Sequence, residues 1–213
     1  MSHGNETAGP VAGVVLAAGA STRMGRNKLL LRVAGESLLR RAVARSVAAG
    51  LDPVIVVLGY EADRAREELS GLPCRPVLNA GYARGMNASV RAGIAAVPAE
   101  ARAVVVILAD MPFVTEGMIR ALVERYRASD PPLVVSEYGG VQAPPTLYDR
   151  RLFTELGAVE GEGCGRQVVR RHGGDAAVVA WPAAALTDID RPEDYERVMA
   201  ELSAGEAKCA PTS

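Results

Sequence analysis

Histidine and cysteine are scarce in this chain. His3 and His172 lie far apart in the sequence, and Cys74, Cys164 and Cys209 form no CxxC pair. Neither a disulfide framework nor a recognisable zinc site can be assembled from that spacing, and thiolate or imidazole catalysis has little to draw on. Aromatic residues make up only 4%, too few for the stacking platform that holds single-stranded nucleic acid. Neither sign of charge dominates: 24 Lys+Arg stand against 25 Asp+Glu, which excludes a polyanion-coating surface and an acidic disordered chain. Nucleic acid is not an expected partner. Long apolar runs are missing too. A run such as Ala103–Ala109 has seven residues, against about 20 for a bilayer crossing. No basic segment precedes Val11–Ala20, which itself contains two glycines. No membrane span, no secretory leader and a cytoplasmic location are therefore expected.

What is present is ordinary globular composition with a regular pattern. The 213 residues are 49% apolar and 23% charged, enough for one core; a single domain over residues 10–203 is expected, with disordered tails at 1–9 and 204–213. Short β-branched runs at Val11–Ala17, Val54–Gly59, Arg75–Leu78, Ala103–Ala109, Leu133–Ser136 and Ala177–Trp181 alternate with helical patterns at Ser37–Ala49, Glu61–Leu69, Ala88–Ala96, Thr115–Ala128 and Pro192–Leu202. Alternation of this kind predicts a three-layer α/β/α sandwich, Rossmann-like, around a mostly parallel sheet buried on both faces. The Gly- and Pro-rich segments Gly139–Pro145 and Gly157–Gly165 are expected to loop out.

Chemistry concentrates after the first strand, in Leu16-Ala17-Ala18-Gly19-Ala20-Ser21-Thr22-Arg23-Met24-Gly25-Arg26-Asn27-Lys28. Ligands of open α/β sheets bind beyond the carboxyl ends of the strands, where small residues let backbone N–H groups approach a phosphate. No acid occurs between Glu6 and Glu36, while Arg23, Arg26, Lys28 and Arg32 supply positive charge. A polyphosphate is the natural counter-ion. Walker A fails because five residues separate Gly19 from Gly25 and Arg26-Asn27 follows; G-x-G-x-x-G fails because Ala20-Ser21 follow Gly19.

The loop resembles the L-A-[AG]-G-x-S-x-R-[MF]-G-x-x-K signature of the MobA/MocA-type nucleotidyltransferases that act on molybdenum cofactor, through Leu16, Ala17, Ala18, Gly19, Ser21, Arg23, Met24, Gly25 and Lys28. The resemblance implies that the loop backbone holds base and triphosphate and that Arg23 and Lys28 stabilise the phosphoryl transition state. Leu108-Ala109-Asp110-Met111-Pro112 is similar to the family's L-x-D-x-P motif, whose Asp binds Mg²⁺. A carboxylate at a strand end suits that ion, although Asp-x-Pro also makes turns.

Asp188-Ile189-Asp190-Arg191-Pro192-Glu193-Asp194 reads in two ways. Asp190, Pro192 and Glu193 reproduce a capped helix start. The segment also looks like the cytidylyl branch's D-I-D-T-P-E-D, with Arg191 for Thr, which makes Asp188 and Asp190 metal candidates. Asn79 to Ser89 leaves a strand and enters a helix that could begin at Asn87, where a cap and exposed amides suit an anion or ribose hydroxyl. Here Gly85 and Ser89 match a family G-M-S-x-S stretch and Asn87 replaces its first Ser. Asn79, Gly85 and Ser89 join the nucleotide-binding candidates. Cys164, in a stretch similar to the family's G-D-x-G-x-R with Glu162 for Asp, reads as part of a flexible glycine loop, and Trp181 as packing.

The family likeness implies Mg²⁺-dependent transfer of a nucleoside monophosphate from an NTP, CTP before GTP, to a molybdopterin-type phosphate, with release of pyrophosphate. It also implies hand-over to a molybdoenzyme or its chaperone. Ala143-Pro144-Pro145 stands where cytidylyl relatives show G-x-P near the acceptor. A sugar-phosphate or methylerythritol-phosphate cytidylyltransferase is the other enzyme class, and a non-catalytic cofactor-delivery protein the non-enzymatic one.

Overall fold

A computed structural model of the chain describes residues 9–209, with side chains described through Glu201. Nine strands form: β1 Val11–Ala17, β2 Arg32–Val33, β3 Glu36–Ser37, β4 Val54–Leu58, β5 Arg75–Leu78, β6 Ala103–Leu108, β7 Leu133–Tyr138, β8 Val141–Asp149 and β9 Ala177–Trp181. Seven build one sheet in the order β5-β4-β1-β6-β8-β7-β9, and β2 pairs with β3 in a separate hairpin. The helices are α1 Leu38–Ala48, α2 Ala62–Glu67, α3 Met86–Ala95, α4 Glu116–Ser129, α5 Phe153–Leu156, α6 Arg166–His172 and α7 Pro192–Cys209. The sheet is mostly parallel, as the alternating pattern predicts. No helix of the described residues is long and apolar enough to cross a membrane.

Period-two alternation divides each central strand between two cores. On one face Val11, Val15 and Ala17 of β1 meet Leu39 and Val43 of α1 and Ile119, Leu122 and Tyr126 of α4. On the other, Ala12, Val14 and Leu16 meet Val90 and Ile94 of α3, Leu156 of α5 and Val168 of α6. Because both faces are covered, β1 and β4 are buried from end to end.

Side-chain oxygens fix where two of these helices begin. Ser37 Oγ accepts from Arg40 N at 3.2 Å to start α1, and Thr115 Oγ1 accepts from Met118 N at 3.2 Å to start α4.

Three features differ from the sequence reading. Gly139–Pro145 is not a loop: Gly139 and Gly140, at φ 58° and 89°, turn the chain tightly into β8, which runs antiparallel to both β6 and β7. Prolines normally argue against a central strand because they cannot donate to the ladder. Here a register shift leaves Pro144 and Pro145 unpaired between Ala143 and Thr146. Their carbonyls are used instead, accepting from Tyr138 Oη (3.0 Å) and Ser136 Oγ (2.7 Å). Second, α7 extends to Cys209 rather than stopping at Leu202; the remaining expected tail positions, 1–8 and 210–213, lie outside the described residues. Third, the short α5 and α6 and the β2–β3 hairpin carry too little periodicity to be read in advance.

A small third core positions the site. Met24, Leu31 and Val33 from the segment after β1 pack with Leu38 of α1, with Ile189 in the segment before α7 and with Val198 of α7, supported by Phe113 and Tyr195. This contact brings the end of the chain back onto the first loop.

Candidate active site

The segment after β1 is set by its own hydrogen bonds. Ser21 sits in the left-handed region (φ 51°), its carbonyl accepts from Met24 N at 2.9 Å, and its Oγ accepts from Lys28 N at 3.2 Å. Gly25 (φ 65°) closes the short turn Thr22–Met24. Asn27 Oδ1 then caps the next turn, Lys28–Leu30, by accepting from Leu29 N at 3.1 Å. Lys28 is thereby fixed at the end of a loop that is otherwise small side chains.

Three carboxylates approach it. Asp110 leaves β6, and its carbonyl accepts from Ile189 N at 3.2 Å, which ties the Asp188-Ile189-Asp190 segment to the end of that strand. Lys28 Nζ lies 2.6 Å from Asp110 Oδ2 and 2.6 Å from Asp190 Oδ1; Arg23 Nη1 lies 2.7 Å from Asp190 Oδ2. Burial disfavours the Lys28 ammonium, but the charges and hydrogen bonds of Asp110 and then Asp190 outweigh it, so its pKa stands above the ordinary lysine value. The Lys28 hydrogen bond holds Asp190 below the usual carboxylate range. Asp188 moves the other way, raised by burial and then by the charges of Asp110 and Asp190.

These groups edge a cavity of about 720 Å³, within the ordinary size of small-molecule sites. Of the residues expected from sequence, Leu16, Ala17, Ala18, Gly19, Ser21, Arg23, Lys28, Gly85, Ser89, Asp110, Asp188 and Asp190 all line it. Gly25 and Asn79 do not. Gly25 shapes the turn, and the buried Asn79 works one layer back, donating from Nδ2 to Ser89 Oγ at 3.1 Å while its Oδ1 accepts from Gly81 N at 3.0 Å.

Two helix-cap readings are corrected. Asp190 does not cap α7: its carboxylate is taken by Arg23 and Lys28, and the Asp194 carboxylate reaches back to accept from Asp190 N (3.1 Å) and Arg191 N (2.9 Å). Asn87 does not cap α3, which begins at Met86. Its fully buried side chain instead pins the Gly157–Gly165 loop, donating from Nδ2 to the carbonyls of Glu160 (2.7 Å) and Glu162 (3.0 Å) and accepting from Gly165 N (2.9 Å) at Oδ1.

Glu162 is a cavity-lining residue that sequence reasoning did not select. Its Oε2 accepts from Met86 N at 3.0 Å, placing a carboxylate over the start of α3. The positive φ of Gly85 (103°) and the approach of Gly161 O, 2.7 Å from where a Cβ would lie, make glycine obligatory at that junction. The signal for Glu162 in the sequence was its place in the G-D-x-G-x-R-like stretch, where it stands for Asp.

A second cavity, of about 630 Å³, opens on the other side of this loop and shares Met86, Leu108 and Asp188 with the first. Cys164 lines it at φ 49°, and burial pushes its thiol up to about 12; no nucleophile is prepared there. Trp181 packs against the main core, as expected.

Residues 13–177 match the family described as the MobA-like NTP transferase domain, which spans most of the chain. The chain belongs to the MobA-like NTP transferase family. As a MobA-like protein it is a nucleotidyltransferase by class, and the likeness read from Leu16 to Lys28 is borne out. It is 30% identical to the purine catabolism protein PucB of Bacillus subtilis (strain 168) over 203 residues, 90% of this chain and 97% of that protein. It is 28% identical to a probable molybdenum cofactor guanylyltransferase of Natronomonas pharaonis over 207 residues, 90% of this chain and 98% of that one. Among solved structures, Rv0371c of Mycobacterium tuberculosis H37Rv superposes with a TM-score of 0.81 at 28% identity, covering 91% of this chain and 99% of its own. Its complex with manganese superposes with a TM-score of 0.73 at 27% identity, covering 90% and 98%.

Proposed function

We propose that this MobA-like protein transfers a nucleoside monophosphate from CTP to the phosphate of a molybdopterin-type cofactor, releasing pyrophosphate. The observation that carries the reading is Lys28 Nζ, held 2.6 Å from both Asp110 and Asp190 at the edge of a cavity walled by Leu16–Ser21. Cationic and anionic side chains from opposite ends of the chain thus meet beyond the strand ends, where phosphates bind in open α/β sheets.

The residues fit a hard divalent cation. Asp110, Asp188 and Asp190 place three carboxylates near one ammonium; the Asp188 carboxyl is raised by burial first and then by the charges of Asp110 and Asp190. Mg²⁺ needs only one or two carboxylates and takes its other ligands from water and phosphate oxygens. Asp110, with Asp188 or Asp190, would hold it, and the manganese complex of Rv0371c supports divalent-metal use. When bound, it supplies charge neutralisation for the phosphates.

In the reaction, an oxygen of the acceptor phosphate attacks the α-phosphorus. The bond from that phosphorus to the oxygen bridging to the β-phosphate breaks, and pyrophosphate departs with the electron pair. A phosphate dianion brings its own nucleophilic electrons, so no side chain need remove a proton. Lys28 and Arg23 follow the charge moving onto pyrophosphate, and the backbone of Ala17–Ser21 positions the nucleotide. The cytoplasm is the proposed compartment, and a molybdoenzyme or its chaperone the recipient of the product.

CTP is favoured because Ala18 and the Asp188-Ile189-Asp190 segment resemble the cytidylyl branch. GTP is the second reading, favoured by the guanylyltransferase name of the Natronomonas relative. Purified protein, Mg²⁺, molybdopterin and each NTP in turn, with pyrophosphate as readout, tests both. Turnover with CTP is expected, turnover with GTP alone moves the base assignment, and turnover with a sugar phosphate alone removes the molybdopterin assignment.

A further inference from the structure

The segment that carries Asp110 from β6 to α4 is neither strand nor helix, yet it is buried. Met111 and Val114 belong to the main core, while Phe113 between them packs against the third core with Met24, Leu31 and Ile189. Backbone groups in such a segment need partners that no neighbouring strand supplies. Ala109 N donates to Leu16 O at 3.3 Å, Val114 N donates to Met111 O at 3.3 Å, and Asp110 O accepts from Ile189 N at 3.2 Å. The carbonyls of Pro112 and Val114, on either side of Phe113, are both taken by one side-chain nitrogen: Arg45 Nη1 of α1, at 2.7 and 2.6 Å.

Arg45 is a costly donor for that purpose. Glu36 and Glu116, the carboxylates whose charges reach it, are engaged with Arg40 at 3.7 Å and Arg120 at 3.4 Å. A second half-buried cation, Arg41, stands one turn earlier on the same face and donates from Nη1 to Val33 O at 3.3 Å. Burial, and then the charge of Arg41, lower the Arg45 pKa from the ordinary arginine value. A half-buried guanidinium beside a like charge contributes little net stability; what it secures is geometry.

We infer that Arg45 is a positioning residue for nucleotidyl transfer: by holding the carbonyls on both sides of Phe113 it fixes the loop that begins at Asp110, and so the place of that carboxylate. The inference rests on the nucleotidyl-transfer reading and extends the machinery to a residue that lines neither cavity. Asp110 is tethered on one side through its own carbonyl to Ile189 N, and Arg45 supplies the second tether two residues further on. The same contact keeps Phe113 against Met24 and Ile189, the neighbours in sequence of Arg23 and Asp190. One guanidinium thus steadies the segments that bear both the anionic and the cationic side chains of the site. Displacement of reacting groups by about 1 Å can cost about 10²-fold in rate, so a contact outside the cavity is enough to govern turnover.

The test compares Arg45→Met, which keeps an apolar stem and loses the donors, with a matched control at the other end of the sheet. Arg150 Nη1 also bridges two carbonyls, those of Pro98 (3.1 Å) and Ala101 (2.8 Å), but these precede β6. Mn²⁺ uptake by the full-length protein is followed by electron paramagnetic resonance with CTP, and in parallel with GTP, in the absence of acceptor. Arg45→Met should weaken nucleotide-dependent Mn²⁺ binding by about tenfold and lower kcat for pyrophosphate release by about tenfold or more, with the KM for the nucleotide within about threefold. Arg150→Met should lower the melting temperature while leaving Mn²⁺ affinity and kcat within about twofold. Arg45→Lys keeps the charge on a shorter stem and is read in the same way if Arg45→Met does not fold: a loss of Mn²⁺ affinity of about threefold or more is expected, and wild-type affinity overturns the inference. Wild-type Mn²⁺ affinity and kcat in a folded Arg45→Met, or an equal loss in Arg150→Met, overturns it too, because the contact would then serve stability alone, and nucleotidyl transfer stands. If the wild type takes up no Mn²⁺ with either nucleotide, the nucleotidyl-transfer reading itself fails, and this inference with it.

Discussion

Lys28 and Asp110 form a largely buried ion pair: Nζ and Oδ2 are 2.6 Å apart, and the side chains are only 13% and 19% exposed. One residue ends the loop after the first strand, the other follows the end of β6, more than eighty positions later. Water is mostly excluded from their contact, so each fixes the other far more firmly than a surface pair would. The same ammonium is shared with Asp190, and an incoming triphosphate would compete with both carboxylates for it.

Asp110→Asn tests that pair. Lys28 keeps Asp190 as a partner, so the fold should survive, with an unchanged circular dichroism spectrum. Metal-dependent pyrophosphate release should fall about 10²–10³-fold, the loss typical of removing one electrostatic contact in a transition state. Steady-state kinetics with saturating Mg²⁺ and CTP provides the measurement, and wild-type rates would remove Asp110 from the mechanism.

Arg23→Ala separates catalysis from stability. Its side chain is 69% exposed and its ion pair is with Asp190, so thermal unfolding should move by well under about 1 kcal/mol, as for surface pairs. Turnover should drop by about tenfold or more, because the role proposed for this cavity-lining guanidinium is to meet the phosphates. Comparing the melting temperature with kcat decides the matter.

Asn87→Ala should be destabilising by about 2–3 kcal/mol, since it deprives the carbonyls of Glu160 and Glu162 of a donor and leaves the buried Gly165 N–H without an acceptor. Urea unfolding measures the loss. Limited proteolysis should show earlier cleavage between residues 157 and 165 than in the wild type.

Asp149, paired with Ala103 at the opposite end of β6 from the site, should contribute to acid stability. Burial raises its pKa, but hydrogen bonds from Arg151 and Tyr126 outweigh this and leave it below the ordinary carboxylate value. A carboxyl with a folded-state pKa below its unfolded one contributes stability above the unfolded value and loses it as pH falls through the folded one. Unfolding free energy should therefore decline below about pH 4, and that decline should be shallower in Asp149→Asn, which is less stable at neutral pH. Denaturation series from pH 7 to pH 3 on both proteins give the comparison.

Cys164 should be inert at neutral pH, because burial pushes its thiol up to about 12 and the thiolate is the reactive form. Peptide mass spectrometry after iodoacetamide at pH 8 should show slow labelling of Cys164 relative to unfolded protein, with turnover preserved.

Much of the fold was legible because it is local physics repeated. The runs at Val11–Ala17 and Ala103–Leu108 are apolar on both pleat faces, and such strands belong in a covered parallel sheet. β8 was illegible for an equally definite reason. Pro144 and Pro145 contradict strand propensity, and only the bulge opposite Val135 and Ser136, which exists once β7 is in place, gives them positions that need no N–H.

The site divides in the same way. Amino-acid sequence alone determined that cations follow the first strand and carboxylates follow later ones, since side-chain charge and strand-end position are properties of short segments. It could not decide whether Asp190 caps a helix or faces Lys28, nor that Asn87 holds the loop carrying Glu162. Those outcomes required the packing of Met24 and Leu31 against Ile189 and Val198, and the docking of the Gly157–Gly165 loop on α3. Tertiary structure decided them because each is a choice between two satisfactory partners for one polar group, and only long-range burial determines which partner comes within reach.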